Sequence, residues 1–190
     1  MNSGSEVTTM LRSKNGSSGF SLVEILIAMV ILSVGLLAII GMIVSASLTA
    51  NRNKVDSTAS MLADTVLEQL SAKDVTSAGT FTIKDCAGVD HTVGRNPGAA
   101  PAGAGAPLNA NNDIDFAAGA VANYQMDFVT CGGAGVRNTF DIRWNVMNMN
   151  AAMPNNAGNY SRLITVSARK KVAAGIYNPA VTLRTVAGTL

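Results

Sequence analysis

The sequence predicts an α+β fold in which one long N-terminal helix, membrane-spanning in its first half and amphipathic in its second, packs on an antiparallel sheet. Three observations carry this. No charged residue stands between Glu24 and Arg52. Apolar residues then recur at helical spacing from Val55 to Leu70, and beyond Gly79 the pattern changes to strand-like alternation. At 190 residues the chain holds one domain and an appendage. It divides into a leader over 1–19, a membrane helix over 20–50, an amphipathic helix half and linker over 51–78, and a β-rich head over 79–190.

The uncharged run decides the class. A helix of roughly 20 apolar residues crosses a hydrocarbon core, so this stretch is long enough to insert. Arg12 and Lys14 stand just ahead of it, and basic residues flanking an apolar span hold that end in the cytoplasm. The head then faces outward. A secretory signal places its small-residue cleavage site after a shorter apolar core. Here the small residues Ser17, Ser18 and Gly19 precede the run, so a cut after them leaves the helix on the mature chain.

Glu24 is an acidic residue set in the apolar segment, which costs a few kcal/mol on insertion scales unless it is compensated. Cleavage after Gly19 would give Phe20 a free amine at a helix N-terminus. That charge and the helix dipole both favour a nearby carboxylate, whether the amine belongs to the same or a neighbouring subunit.

Gly19, Phe20 and Glu24, with charges before them and a long apolar helix after, resemble the class III signal of type IV prepilins and pseudopilins. The resemblance covers Gly19 to about Leu70. It implies cleavage after Gly19 by a prepilin peptidase, methylation of the new N-terminal Phe20, and a part for Glu24 in docking into a growing filament. The stretch Gly35-Leu36-Leu37-Ala38-Ile39-Ile40-Gly41 resembles PilV-type minor pilins, and Gly41 stands where many major pilins carry proline. The partners so implied are the peptidase, other major and minor pilins and the inner-membrane assembly machinery. The implied location is the inner membrane and then the filament or its tip.

Small residues at Ser33, Gly35, Ala38, Gly41 and Ser45 break up the large aliphatics and allow close helix approach in lipid. The two glycines also weaken the helix by about 1 kcal/mol each relative to Ala. After Ala50 polar groups enter, and Val55, Ala59, Leu62, Val66 and Leu70 form a stripe opposite Asp64 and Glu68. A continuous helix from Phe20 to about Ala72 would be roughly 80 Å long. Its bare first half demands partners, and heterologous stacking of such subunits gives an open filament.

In the head, short strands are expected at Thr80–Lys84 and Val89–Val93. Longer ones are expected at Val121–Thr130, Asn138–Met147, Ser161–Lys170 and Ala180–Val186, where β-branched and aromatic residues alternate with polar ones. Trp144, Tyr124 and Phe140 read as sheet packing. The Gly, Ala and Pro-rich stretch over 94–120 reads as a mobile surface excursion.

Cys86 and Cys131 lie in one compartment beyond the membrane run and enclose that excursion. A disulfide between them would close about 46 residues and stabilise the head by roughly 4 kcal/mol on the chain-entropy model. Two cysteines and the single histidine, His91, make a poor zinc set. His91 reads as a surface residue without the context of a catalytic base. The glycines after Cys131 lack the lysine of a phosphate loop, and Asn159-Tyr160-Ser161 has only the form of a glycosylation acceptor.

A net charge of +2 with scattered Lys and Arg gives no phosphate-binding stripe. The resemblance implies a minor pilin, and the residues give no sign of enzyme activity, a cofactor, a metal site or nucleic-acid binding. The alternatives are a type II secretion pseudopilin and a membrane-anchored periplasmic enzyme or binding protein.

Overall fold

The computed structural model describes residues 19–73, 79–132, 137–149, 161–172 and 178–188. Arg12, Lys14, Ser17, Ser18, Asn159 and Tyr160 lie outside them. The chain divides into two compact units, Met1–Leu48 and Thr49–Leu190. One helix, α1 (Leu22–Ser71), supplies residues to both.

Ser21 opens α1 as its N-cap. Its carbonyl accepts the first helical hydrogen bond from the Ile25 N–H at 3.2 Å, and Glu24 stands three positions on, the spacing of a capping box. Through Leu48 the large apolar side chains of the helix are exposed, and this part is long and apolar enough to cross a membrane. Ser33 folds its hydroxyl back onto the Met29 carbonyl at 2.7 Å, which removes a polar group from the apolar surface.

In the second unit, Ala59, Leu62, Val66 and Leu70 are buried as the stripe predicts, and Ala63 and Leu67 join them. Val55 packs against the edge of the same cluster. Asp64 and Glu68 are exposed.

The head begins with an antiparallel hairpin of β1 (Thr80–Lys84) and β2 (Asp90–Gly94). A six-stranded sheet follows: β3 (Gly98–Ala99), β4 (Ala104–Gly105), β5 (Gln125–Cys131), β6 (Arg137–Asn148), β7 (Ser161–Lys170) and β8 (Val181–Gly188). The central strand β6 pairs with β7 on one side and with β5, β4 and β3 in succession on the other. The sheet is antiparallel except for the two-residue parallel pair of β3 with β6. Strand β5 starts later than expected because Val121–Tyr124 forms a turn closed by a hydrogen bond between those two residues.

Register sorts the side chains of the sheet into two layers. Ile142 faces Ala168, Trp144 faces Val166 and Val146 faces Ile164, and with Phe140 they share the core cluster with the α1 stripe. Full burial of such side chains stabilises by about 1.5–3 kcal/mol each. Trp144 directs its indole N–H at the Gly94 carbonyl, 2.8 Å away, so its one polar atom is satisfied. Phe140, Trp144 and the nearby Tyr124 are sheet packing, as expected.

The opposite layer is polar and also buried: Asp141, Arg143, Asn145, Thr165 and Ser167. Asp141 accepts two hydrogen bonds from Arg143 at 3.0 and 3.1 Å and a third from Arg169 at 3.3 Å. The Ser167 and Thr182 hydroxyls meet at 2.6 Å.

The cover over this polar layer comes from the stretch expected to be a mobile surface excursion, which instead is laid on the sheet. Asn145 donates to the carbonyls of Ala102 and Ala106, Arg143 donates to that of Ala118, and the Ala106 N–H donates to the Trp144 carbonyl. Phe116 lies against the guanidinium groups of Arg143 and Arg169, with ring centroid distances of 5.0 and 4.2 Å. Gly103 and Gly105 have φ of +69° and +111°. A Cβ at Gly103 would stand 2.1 Å from the Asn145 Oδ1, and one at Gly105 would stand 2.5 Å from the Trp144 carbonyl oxygen. Both positions therefore need glycine.

Candidate functional site: the processing and assembly segment

Gly19, Phe20 and Glu24 follow one another at the start of α1. Gly19 and Glu24 are exposed, and Phe20 is 79% exposed. The residues flanking the proposed cut precede the first helical residue, Leu22. A peptidase needs extended, reachable backbone, and an intact helix would deny it. Added bulk at Gly19 meets nothing within 4 Å, so no packing among the described residues requires glycine there.

Glu24 falls at the third helical position, the acidic residue of the first turn. Two physical roles meet in it. At the Ser-x-x-Glu spacing of a capping box it is placed to favour the helix start, an effect of order 0.5–2 kcal/mol for caps. As a carboxylate near a helix N-terminus it is stabilised by the positive end of the dipole, and its own negative charge attracts a terminal amine. The capping role was not drawn from the sequence, although the Ser-x-x-Glu spacing at 21–24 carries it.

Beyond Glu24 the first-unit helix offers only shape and apolar surface. Added Cβ atoms at Gly35 and Gly41 also meet nothing within 4 Å. Among the described residues neither glycine is required by packing, which leaves close approach of another helix or a lowered helix stability as what it contributes.

In the head, Cys86 and Cys131 form a disulfide with a Cα–Cα distance of 5.8 Å. It lies beside a hub absent from the sequence-based expectations. Asp85, with its side chain almost wholly enclosed, accepts hydrogen bonds from the N–H groups of Val89 at 2.8 Å and Val129 at 3.3 Å. The His91 Nε2 lies 3.2 Å from its second oxygen. Burial pushes the Asp85 carboxyl up, but the Val89 N–H, His91, and the Val129 N–H together hold it below the ordinary carboxylate range.

His91 is accordingly no free surface residue. Its side chain is 14% exposed, and its ring neighbours that of Phe128 at 6.1 Å. The hub and the disulfide both tie the β1–β2 hairpin to β5, where Cys86 donates its backbone N–H to the Val129 carbonyl.

Compared with known families, residues 14–40 match the prokaryotic N-terminal methylation motif. No curated protein and no solved structure matches the chain. The matched span contains Gly19, Phe20 and Glu24 and most of the bare apolar helix. It supports a type IV pilin- or pseudopilin-like protein, with the processing by a prepilin peptidase that this signal implies and an anchor in the inner membrane.

Proposed function

We propose that the chain is a minor pilin, contributing to the assembly, initiation or modification of a type IV pilus after cleavage at Gly19 and methylation of Phe20. The observation that carries this is the methylation motif over residues 14–40, joined to a helix whose large side chains through Leu48 are exposed. Such a surface is stable in lipid or among other helices and nowhere else. The chain acts by packing and display, without catalysis. The N-terminus is cytoplasmic and the head periplasmic until the subunit enters the filament or its tip.

Gly35-Leu36-Leu37 and the absence of proline at Gly41 favour a minor over a major pilin. A pseudopilin of a type II secretion system shares the cleavage and helix rules. Quantitative mass spectrometry of sheared pili and of immunopurified secretion complexes from the native host separates the two. Recovery with pilus subunits at a small fraction of the major pilin supports the minor-pilin role. Recovery only with secretion components replaces it with the pseudopilin.

Glu24→Ala should be cleaved normally and should enter filaments roughly tenfold less than the wild type, if the carboxylate–amine attraction is worth about 1.4 kcal/mol. Incorporation equal to the wild type would leave Glu24 with only its capping role.

A further inference from the structure

The β1–β2 hairpin is fastened differently at its two ends. At its base, Ile83 and Val93 are buried in the core cluster. The Gly94 N–H donates to the Asn123 carbonyl at 2.6 Å, and the Gly94 carbonyl accepts the Trp144 indole N–H at 2.8 Å. At its tip, residues 86–90 are exposed, and a short set of contacts joins it to β5. The Asp85 carboxylate accepts the Val129 N–H, and the Val129 carbonyl accepts the Cys86 N–H at 3.2 Å. The His91 ring lies near that of Phe128, and Cys86 is bonded to Cys131.

Val129 thus turns both its backbone groups away from β6 and onto the tip. No strand pairs with β5 on that side among the described residues, so the tip is what covers this stretch of the sheet's edge, one of the ways proteins protect an edge strand. The tip is also closed on itself. Its turn is held by the Asp85 N–H on the Val89 carbonyl at 3.0 Å and by the Gly88 N–H on the Asp85 carbonyl at 3.1 Å. The Val89 N–H and His91 hold the Asp85 carboxylate in position. None of these bonds reaches β5, so the tip keeps its shape when it lifts away.

The covalent fastening is the one that reagents reach first, since Cys86 and Cys131 are both exposed whereas Asp85 is buried. Exposed disulfides are the labile ones, open to attack by an external thiolate. We propose that the hairpin tip is a redox-controlled cover on the β5 edge, locked by the Cys86–Cys131 disulfide, unlocked by a dithiol reductant, and held down after unlocking by the bond from Val129 to Asp85. The inference stands independently of the filament role. In unlocking, a reductant thiolate attacks one sulfur of the pair, which forms a mixed disulfide and releases the other cysteine as a thiolate that takes up a proton. The reductant's second thiol, as its thiolate, then displaces the first cysteine, which is protonated in turn. The reductant leaves as a disulfide, and two electrons have passed to Cys86 and Cys131.

A lock and a staple differ in what they hold. A staple restricts the unfolded chain, and its loss lowers the stability of the whole head. A lock forbids a local opening of the folded head, and its loss lets that opening occur while the core stays closed. An exposed tip on a core-docked base gives this disulfide the second part in addition to the first.

The test follows amide exchange and Trp144 fluorescence of the full chain in detergent micelles, oxidised and after treatment with dithiothreitol. Reduction should proceed without denaturant and leave the emission of the buried Trp144 unchanged. The Cys86 amide should then exchange at least about tenfold faster than in the oxidised chain, at a rate insensitive to low urea. The amides of Ile164 and Val166 in β7 should keep the urea dependence that marks global opening. In the reduced chain, Asp85→Asn should speed Cys86 exchange by about a further tenfold, the scale of a hydrogen bond to a charged group. His91→Leu, which removes one of the groups holding the carboxylate, should shift it the same way by a smaller factor, and decides the point if Asp85→Asn does not fold. A disulfide that resists dithiothreitol until the head is unfolded overturns the proposal. So does Cys86 exchange that rises by the same factor, and with the same urea dependence, as exchange in β7, which is the mark of a staple alone. Equal Cys86 exchange in the reduced wild type and the variants removes Asp85 as the catch and overturns it as well.

Discussion

Asp85 illustrates how a single residue can organise this head without any sequence motif to mark it. Its carboxylate bonds the N–H groups of Val89 and Val129 and the ring of His91, so the charged form is favoured in the fold and its pKa is lowered. A carboxyl with a depressed folded pKa adds stability above its unfolded pKa of about 3.9 and loses it as pH falls through the folded value. Urea midpoints measured from pH 6 downward should therefore fall below about pH 4, and Asp85→Asn should flatten that part of the curve. An unchanged pH dependence in the variant would remove Asp85 from this role.

Trp144 makes a different kind of contribution, since it is fully buried and its indole N–H is bonded to Gly94. Trp144→Ala should cost about 3–5 kcal/mol in chemical denaturation. The two residues differ in how readable they were. Trp144 sits in an alternating strand pattern that predicts burial. Asp85 is one acidic residue before a turn, and its partners arrive from β2 and from β5, more than forty positions away.

Among the elements, the second half of α1 and strand β7 followed from periodicity, because an apolar stripe or an alternating run has only one way to bury itself. The cover over the polar face of the sheet did not. It binds through the backbone carbonyls of Ala102, Ala106 and Ala118, which are invisible in side-chain patterning, and its glycines read as flexibility where they permit close approach to β6. Asn145 is the side chain that fastens it at two points. Asn145→Ala should destabilise the head by about 1–3 kcal/mol, because two carbonyls under the cover lose their donor. Amide exchange at Gly103 and Ala106 should rise more than exchange within β7. A uniform rise across the head would show that the cover does not depend on this residue.

In the whole molecule, two solvents divide the labour of the chain. The second unit folds around its own core, with a sheet apolar on the α1 side and polar beneath its cover, and a disulfide holds the hairpin to β5. Among its described residues the first unit buries none of its large apolar side chains, and residues 14–40 match the methylation motif. That half was legible because a membrane span with Gly19 and Glu24 at its start is a local signal, complete within 14–40. The strand order of the head, with β6 at the centre between β7 and the row of β5, β4 and β3, became visible only in the folded chain.

Processing after Gly19, and entry into a filament through the helix so released, underlie the proposed role. Intact mass and N-terminal peptide analysis of the chain from a host with an active prepilin peptidase reads the processed end itself. The expected product is a mature protein beginning at N-methylated Phe20. A chain that still begins at Met1 would contradict it.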